Sequence, residues 1–469
     1  MIRSVWLLLG LLLSLLPVAP LAAQAQPLLL DEVLRSSATH APAILEAMTR
    51  EAQAAGRRLT AEGAFDLVFE ADAQSRPLGY YDGSQLDARA TRPLATNGGS
   101  LYAGYRVSRG TFPIYEDKAY TNRAGELRVG AVFALMRDRL ADDRRTRLGL
   151  AGIDVVLARL DREMVAIGVQ RRAIDAYQTW VAAGLRVAVY RDLLALARER
   201  QTSIERQIRL GARPAILGTE NRQNILRRQT LLVRAEQDLA ATANALSFYL
   251  RDAAGNPVVP ASDRLPPSFA LLRPPPLGPD FARRIERPDL AAILLRLDQT
   301  AARRALAEND LLPRLDLRAE AAKDVGAVGL GGRSRTALEG IVGLRLSIPL
   351  ERRQARGRIA EAQAEADGLR LRRKLLEDQI LVETNGLAVQ VEAAERLLDL
   401  AGEETALAGR MAEAERRRFQ LGASDFILVN LREEAAADAR LRQLDAEYRR
   451  ATARAELVAA TVDRSQLGL

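Results

Sequence analysis

The sequence predicts a mainly α-helical chain with amphipathic membrane β-strands, built from one unit of helix, strand, strand, long helix and shorter helix given twice. Three observations predict this. First, residues 41–73 lie without a gap on residues 287–319, so that Pro42 meets Pro288, Arg57-Arg58 meets Arg303-Arg304 and Ala61-Glu62 meets Ala307-Glu308. Farther along, IRLGARPAIL around Gly211 lies on FQLGASDFIL around Gly422, and the register holds through Ala235/Ala446, Ala240/Ala451 and Leu246/Leu457. A period of about two hundred residues is too long for a solenoid unit, so these are two copies of one large unit. Second, the hydrophobic period switches from helical to alternating after the first helix of each copy. Third, a long stretch of three-four spacing follows the strands in both copies, which signals coiled-coil packing.

Taken in order, residues 1–25 read as a secretory signal: Arg3 gives the positive start, Val5 to Leu16 the apolar stretch and Ala23-Gln24-Ala25 the small-residue cleavage pattern. Pro17 and Pro20 interrupt the run, which weakens a transmembrane-helix reading. The mature chain is expected to leave the cytoplasm. No later segment approaches 18 uninterrupted apolar residues, so strands must do any membrane crossing.

The first repeat is expected over residues 26–250. Asp31 is expected to cap a helix to about Glu62, with Leu34, Ala38, Ala41, Leu45 and Met48 at helical spacing. Thr39-His40-Ala41-Pro42 bends or restarts it, and Gly63 ends it. A strand at about 65–78 follows, where Phe65, Leu67, Phe69, Ala71 and Ala73 alternate with Asp66, Glu70, Asp72 and Gln74. The return strand, about 126–136, puts Leu127, Val129, Ala131, Phe133 and Leu135 on one face. Between them the insertion 79–126 holds six of the ten tyrosines: Tyr80, Tyr81, Tyr102, Tyr105, Tyr115 and Tyr120. It reads as an interfacial girdle, an ordered outer loop, or an aromatic soluble loop with an extra hairpin at Leu101 to Val107. Whether it adds barrel strands is open at this stage. A long helix over about 141–210 (Leu150, Ile153, Leu157, Leu160, Met164, Ile167) and a helix over 214–250 complete the repeat.

Residues 251–280 carry eight of the nineteen prolines and are expected to form an extended strap between the copies. The second repeat spans 281–469, with strands at about 313–323 and 338–350, a long helix at about 352–421 and a helix at 425–463. Leu315, Leu317, Ala319 and Ala321 share one strand face; Leu338, Gly340, Val342, Leu344, Leu346, Ile348 and Leu350 share another. Strands of about ten residues suit a tilted bilayer crossing, with lipid on one side and water on the other. In each copy, the two shorter helices end to end match the long one, as an elongated antiparallel bundle requires.

Composition excludes several classes. With no cysteine there are no disulfides, thiolate metal sites or N-terminal lipidated Cys. The single histidine, His40, removes His-based metal clusters, makes a Ser-His triad improbable, and reads as a solvated residue near the start of the first helix. The net charge of +8 comes from Arg scattered among Asp and Glu, the pattern of solvated helix faces rather than nucleic-acid binding. Gly329 to Arg335 (GLGGRSR) lacks the Gly-Lys-Ser/Thr ending of a phosphate cradle and is expected to be a hairpin loop.

This order of elements resembles the TolC-like outer-membrane efflux proteins. The residues that carry the resemblance are Ile208 to Ala212 and Phe419 to Ala423 at the paired turns, Leu312 to Leu317 (LPRLDL) at one strand start and Leu346 to Leu350 (LSIPL) at another strand end. The resemblance implies a homotrimer in which each protomer gives four strands to one shared twelve-stranded barrel and its helices to a periplasmic coiled-coil tunnel. It implies an exit duct in the outer membrane, serving a tripartite efflux pump or a type I secretion system. The expected partners are outer-membrane lipid, a periplasmic adaptor (membrane fusion) protein and an inner-membrane pump, with no nucleic acid, cofactor, metal or catalytic residue. The adaptor-docking tips would be Leu210, Gly211, Ala212, Arg213 and Pro214 with Leu421, Gly422, Ala423, Ser424 and Asp425. Glu403 and Glu404 are candidate gate residues, although the Asp pair of the best-known member is absent and solvated-face carboxylates read the same way. Arg416-Arg417-Arg418 could form a basic mouth or pair with helix-face carboxylates.

Two other classes are weighed. A periplasmic coiled-coil adaptor or scaffold would show compact β-domains beside one helical hairpin, whereas two hairpins are written here. A secreted enzyme would need polar residues at catalytic spacing, and no such cluster stands out. The transported substrate is not legible.

Overall fold

The computed structural model describes residues 26–276, 287–330 and 336–469. The signal segment 1–25, residues 277–286 of the strap with Pro279, and residues 331–335 of GLGGRSR lie outside the described residues.

The chain opens on α1 (Leu30–His40) and α2 (Pro42–Glu62). Ala41 between them is extended (φ −66°, ψ 123°), because a residue before proline is pushed out of the helical region, and Pro42 then starts α2 at its first position. The helix therefore restarts rather than bends. Asp31 is not its cap: Leu29 occupies that position, and Asp31 sits in the first turn, paired with Arg35 at 2.8 Å. His40 is the last residue of α1 and half-buried, not near its start.

The remaining helices are α3 (Asp143–Arg209), α4 (Ile216–Leu246), α5 (Pro288–Asn309), α6 (Arg353–Gln420), α7 (Phe426–Ala460) and the single turn α8 (Arg464–Leu467). Asp142 caps α3 by accepting hydrogen bonds from the amides of Arg144 (2.8 Å) and Arg145 (3.1 Å). At 67 and 68 residues, α3 and α6 are each about 100 Å long. Each long helix packs on two shorter ones, α3 on α2 and α4, α6 on α5 and α7, and α3 also meets α5 and α7 across the repeats.

The main core lies halfway along the bundle, where Leu28, Val33, Ile174, Tyr177, Trp180, Leu246, Val458 and Leu467 are buried together. The strap is laced into it. The Leu28 amide donates to Arg264 O at 2.8 Å, Gln178 Nε2 donates to Ala270 O at 2.5 Å, and Leu265 lies 2.2 Å from where a Cβ on Gly184 would be. Only glycine at position 184 lets the strap approach α3 this closely.

The strands β1 (Val68–Ser75), β2 (Ser84–Pro93), β3 (Ser100–Arg109), β4 (Glu126–Ala134), β5 (Arg314–Asp324) and β6 (Glu339–Ser347) form one sheet in sequence order. All neighbours are antiparallel. Among the described residues the sheet has six strands where the two repeats alone predict four: the insertion supplies β2 and β3, which stand between β1 and β4.

Candidate channel wall, gate and docking tips

Register decides which side chains share a sheet face. Phe69, Ala71 and Ala73 of β1 stand opposite Ala90, Ala88 and Leu86 of β2, which stand opposite Ala103, Tyr105 and Val107 of β3. The row continues through Leu127, Val129 and Ala131 of β4 to Ala319 and Ala321 of β5 and Gly340, Val342 and Leu344 of β6. Among the described residues no helix covers this face: Phe69 is 70%, Val129 57%, Val342 77% and Leu344 68% exposed. So large an uncovered apolar surface is a membrane or protein interface. Strands of 8 to 11 residues match the length of a tilted bilayer crossing.

The opposite face is mainly polar, with Val68, Pro93, Val132, Ala134, Ala322 and Ile341 as apolar exceptions, and two glycines organise it. Gly104 of β3 has no side chain, so Arg128 of β4 reaches over it to Asp87 of β2 at 2.5 Å. Gly130 of β4 likewise leaves room for Tyr102 of β3, whose hydroxyl donates to Glu320 of β5. Arg318 Nε donates to the same hydroxyl at 3.2 Å, and Arg89 lies over the Tyr102 ring at 4.0 Å. Arg106 pairs with Glu126 at 2.7 Å. The result is a charged, hydrogen-bonded surface suited to water. Tyr80 and Tyr115, beyond the strand ends, are exposed, whereas Tyr102 is buried within the sheet.

At the far end of the bundle the chain reverses at Gly211 (φ +70°) and Gly422 (φ +80°), both in the left-handed region that glycine favours. In the first turn, the Ala212 amide bonds Gln207 O and the Gly211 amide bonds Ile208 O, both at 2.9 Å. In the second, the Ala423 amide bonds Arg418 O at 2.9 Å and the Gly422 amide bonds Phe419 O at 3.1 Å. Both are the double-bonded glycine cap that closes a helix end. Asp425 then caps α7, accepting from the Leu428 amide at 2.7 Å. The two tips touch through Ile204, Phe419, Phe426 and Val429, and Arg213 lies over the Phe419 ring at 5.2 Å. Leu210 and Leu421 point outward, as do Ile216 and Ile427. Sequence reasoning passed over Ile216 and Ile427; their signal was the repeat register itself, which superposes them.

Above the tips, Glu433 of α7 is buried and faces Arg200 of α3, Arg228 of α4 (3.1 Å) and Arg416 of α6 (3.5 Å). Burial lowers the Arg228 pKa, and the opposing Glu433 charge limits the shift. Of the arginine triplet, Arg416 thus turns inward to Glu433, while Arg417 and Arg418 pair with Glu413 and Glu415 on their own helix. Of the candidate gate pair, Glu404 takes two hydrogen bonds from Arg442 of α7, one at 2.7 Å. That guanidinium holds its carboxyl below the usual range. Glu404 borders a groove of about 620 Å³ between α6 and α7. Among the described residues, no group of His, Asp and Glu is placed to hold a metal ion, and no helix is long and apolar enough to cross a membrane.

The family model for outer membrane efflux proteins matches residues 283–461, the second repeat from before α5 to the end of α7. That repeat is thus similar to the outer membrane efflux proteins. Solved structures share the fold of both repeats. The Neisseria gonorrhoeae MtrE outer membrane channel in its open state matches with a TM-score of 0.63 at 14% identity, covering 92% of this chain and 88% of that one. The outer membrane protein VceC of Vibrio cholerae gives 0.61 at 15%, covering 92% and 95%. The Campylobacter jejuni CmeC outer membrane channel gives 0.61 at 14%, covering 92% and 85%. Among curated proteins no sequence match was found. The two sequence-derived tips come together at one end of the bundle, and Glu404 lies on the α6–α7 groove, with Arg442 as partner.

Proposed function

We propose that the protein is a passive exit duct of the outer membrane, working as a homotrimer for a tripartite efflux pump or a type I secretion system. One observation carries the reading: a sheet with an apolar band across one face, polar only at its rims (Ser75, Ser84, Arg92, Arg109 and Lys323), a charged opposite face and, among the described residues, two unpaired edge strands. A bilayer does not tolerate open edges, and closure against further copies removes them.

The helices support the same assembly. On α6, Leu371, Leu375, Val382, Val389, Leu400, Leu407 and Met411 are exposed and recur at steps of four, seven and eleven residues, so they fall on one face. Such a seam calls for another helix. Complementary exposed residues lie on α2 (Leu45, Met48, Leu59) and α4 (Leu226, Val233), which suits a head-to-tail ring that closes on itself.

In this reading the repeats 26–250 and 281–469, joined by the strap 251–280, each supply one helical hairpin to a periplasmic tunnel. The tips, Leu210 to Pro214 and Leu421 to Asp425, are where the periplasmic adaptor docks, and an inner-membrane pump supplies the energy. Exposed Leu210 and Leu421 offer it equivalent apolar contacts, while Arg213-Pro214 against Ser424-Asp425 makes the two tips chemically unequal. Glu403 and Glu404 stand as the candidate gate. No catalytic group is needed in this reading.

Fractionation followed by negative-stain electron microscopy tests the reading. The expected result is a protein extracted from the outer membrane only by detergent, as elongated three-fold particles. A monodisperse, water-soluble single chain would contradict it.

A further inference from the structure

From the position of the insertion in the sheet, we infer that the hairpin β2–β3 belongs to the channel wall, so that three copies close a barrel of eighteen strands. One third of that wall is then built from residues 79–126, which have no counterpart in the second repeat. The inference rests on the homotrimeric duct proposed above and adds to it the number of strands and the width of the bore.

Four observations carry it. The hairpin is intercalated: β1 pairs with β2, and β3 pairs with β4, so among the described residues β1 joins the sheet only through the hairpin. Its faces agree with the rest of the wall, with Leu86, Ala88 and Ala90 of β2 and Leu101, Ala103 and Tyr105 of β3 in the same apolar row. A hairpin standing in water has no use for that row. On the polar side it is tied to the repeat-derived strands by Asp87–Arg128, Arg106–Glu126 and Tyr102–Glu320. Finally, its helix-side turn is anchored at the foot of α3. Asn97 Nδ2 donates to Ala134 O and the Ala134 amide donates to Asn97 Oδ1, each at 2.9 Å, and the Gly98 amide donates to Asp138 O at 3.0 Å.

The occupant of the open edges is a second copy of this chain. β1 leads away from α2 and β6 leads back towards α6, so β6 of one copy meets β1 of the next in antiparallel order. Six strands per copy keep this alternation unbroken around a ring, which an odd number would not. Barrel diameter grows roughly linearly with strand number, so eighteen strands give a bore about 1.5 times as wide as twelve.

Electron cryo-microscopy of the full-length wild-type protein in lipid nanodiscs counts the strands directly. Eighteen wall strands around a three-fold axis are expected. A three-fold tunnel under a twelve-stranded wall, with residues 84–109 in the lumen or outside the membrane, would overturn the inference and leave the duct intact. Particles without three-fold symmetry would overturn both. A nitroxide on a cysteine introduced at position 88 or 103 gives a second readout, because the natural chain has no cysteine. In bilayers both labels should be relaxed by oxygen and shielded from a water-soluble nickel chelate. Ready access of the chelate to both labels, with no shielding at either, would place the hairpin outside the wall.

Discussion

Tyr102 lies across Gly130, its ring 2.4 Å from where a Cβ on residue 130 would stand, and its hydroxyl donates to Glu320 one strand farther on. A residue of the insertion is thereby joined to a residue of the second repeat over a gap that only glycine leaves open. Gly130→Val should displace the ring and break the link, at about 1–3 kcal/mol as for other overpacked sites. Tyr102→Phe removes the hydroxyl and keeps the ring, so it should cost less. Thermal unfolding of the detergent-solubilised protein checks both, and equal stability of Gly130→Val and wild type would contradict this description of the wall.

Glu433 is a second point where distant segments meet, facing arginines from three other helices. Glu433→Gln leaves those guanidinium groups without their buried counter-charge, which costs about 3–5 kcal/mol when one partner of such a set is removed. Combining it with Arg228→Met should restore part of the loss, since the single and double changes share one network. Denaturant midpoints measure this; simple additivity would show that the two side chains are not coupled.

Glu404 should impose a pH dependence that ends low on the scale. Its carboxyl is held down chiefly by the hydrogen bond from Arg442. Its contribution is therefore present above the ordinary glutamate value, about 4.3, and is lost as pH falls through the lower folded value. The stability difference between wild type and Glu404→Gln should stay constant from pH 8 to pH 5 and disappear in stronger acid. A difference already vanishing between pH 7 and pH 6 would mean that Glu404 is not held by Arg442.

At the tips, Gly211→Ala and Gly422→Ala each place a side chain at positive φ, at a cost of about 1 kcal/mol, because alanine lacks glycine's freedom there. Ile216→Ser and Ile427→Ser leave the cap alone and remove an exposed apolar contact, so they should weaken adaptor binding without moving the melting temperature. Co-purification with the adaptor and calorimetry separate the two effects. Unchanged co-purification of the double Ile variant would take those residues out of the docking surface.

Much of this architecture is written locally. Alternation such as Leu315, Leu317, Ala319, Ala321 fixes a strand and its apolar face, and Gly211 and Gly422 mark the helix reversals because only the local backbone decides them. The inserted strands were harder to read. Leu86, Ala88 and Ala90 do alternate with Asp87, Arg89 and Thr91, but small alanines give a weak signal, Pro93 closes the run, and no second copy supports it. Glu433 was illegible for another reason. It sits among ordinary helix-face charges in REEAAADAR, and its burial is set by Arg200 and Arg228, more than two hundred residues away. The cap expected at Asp31 failed because Leu29, with no side-chain acceptor, precedes the helix directly.

Conductance of the purified wild-type protein in a planar lipid bilayer tests the central claim most directly, since a closed barrel with a charged interior has to pass ions. The account predicts discrete, long-lived current steps on insertion. Correctly assembled, membrane-embedded trimers that carry no current under any voltage or salt, with the Glu404–Arg442 pair intact or with Glu404→Gln, would contradict it.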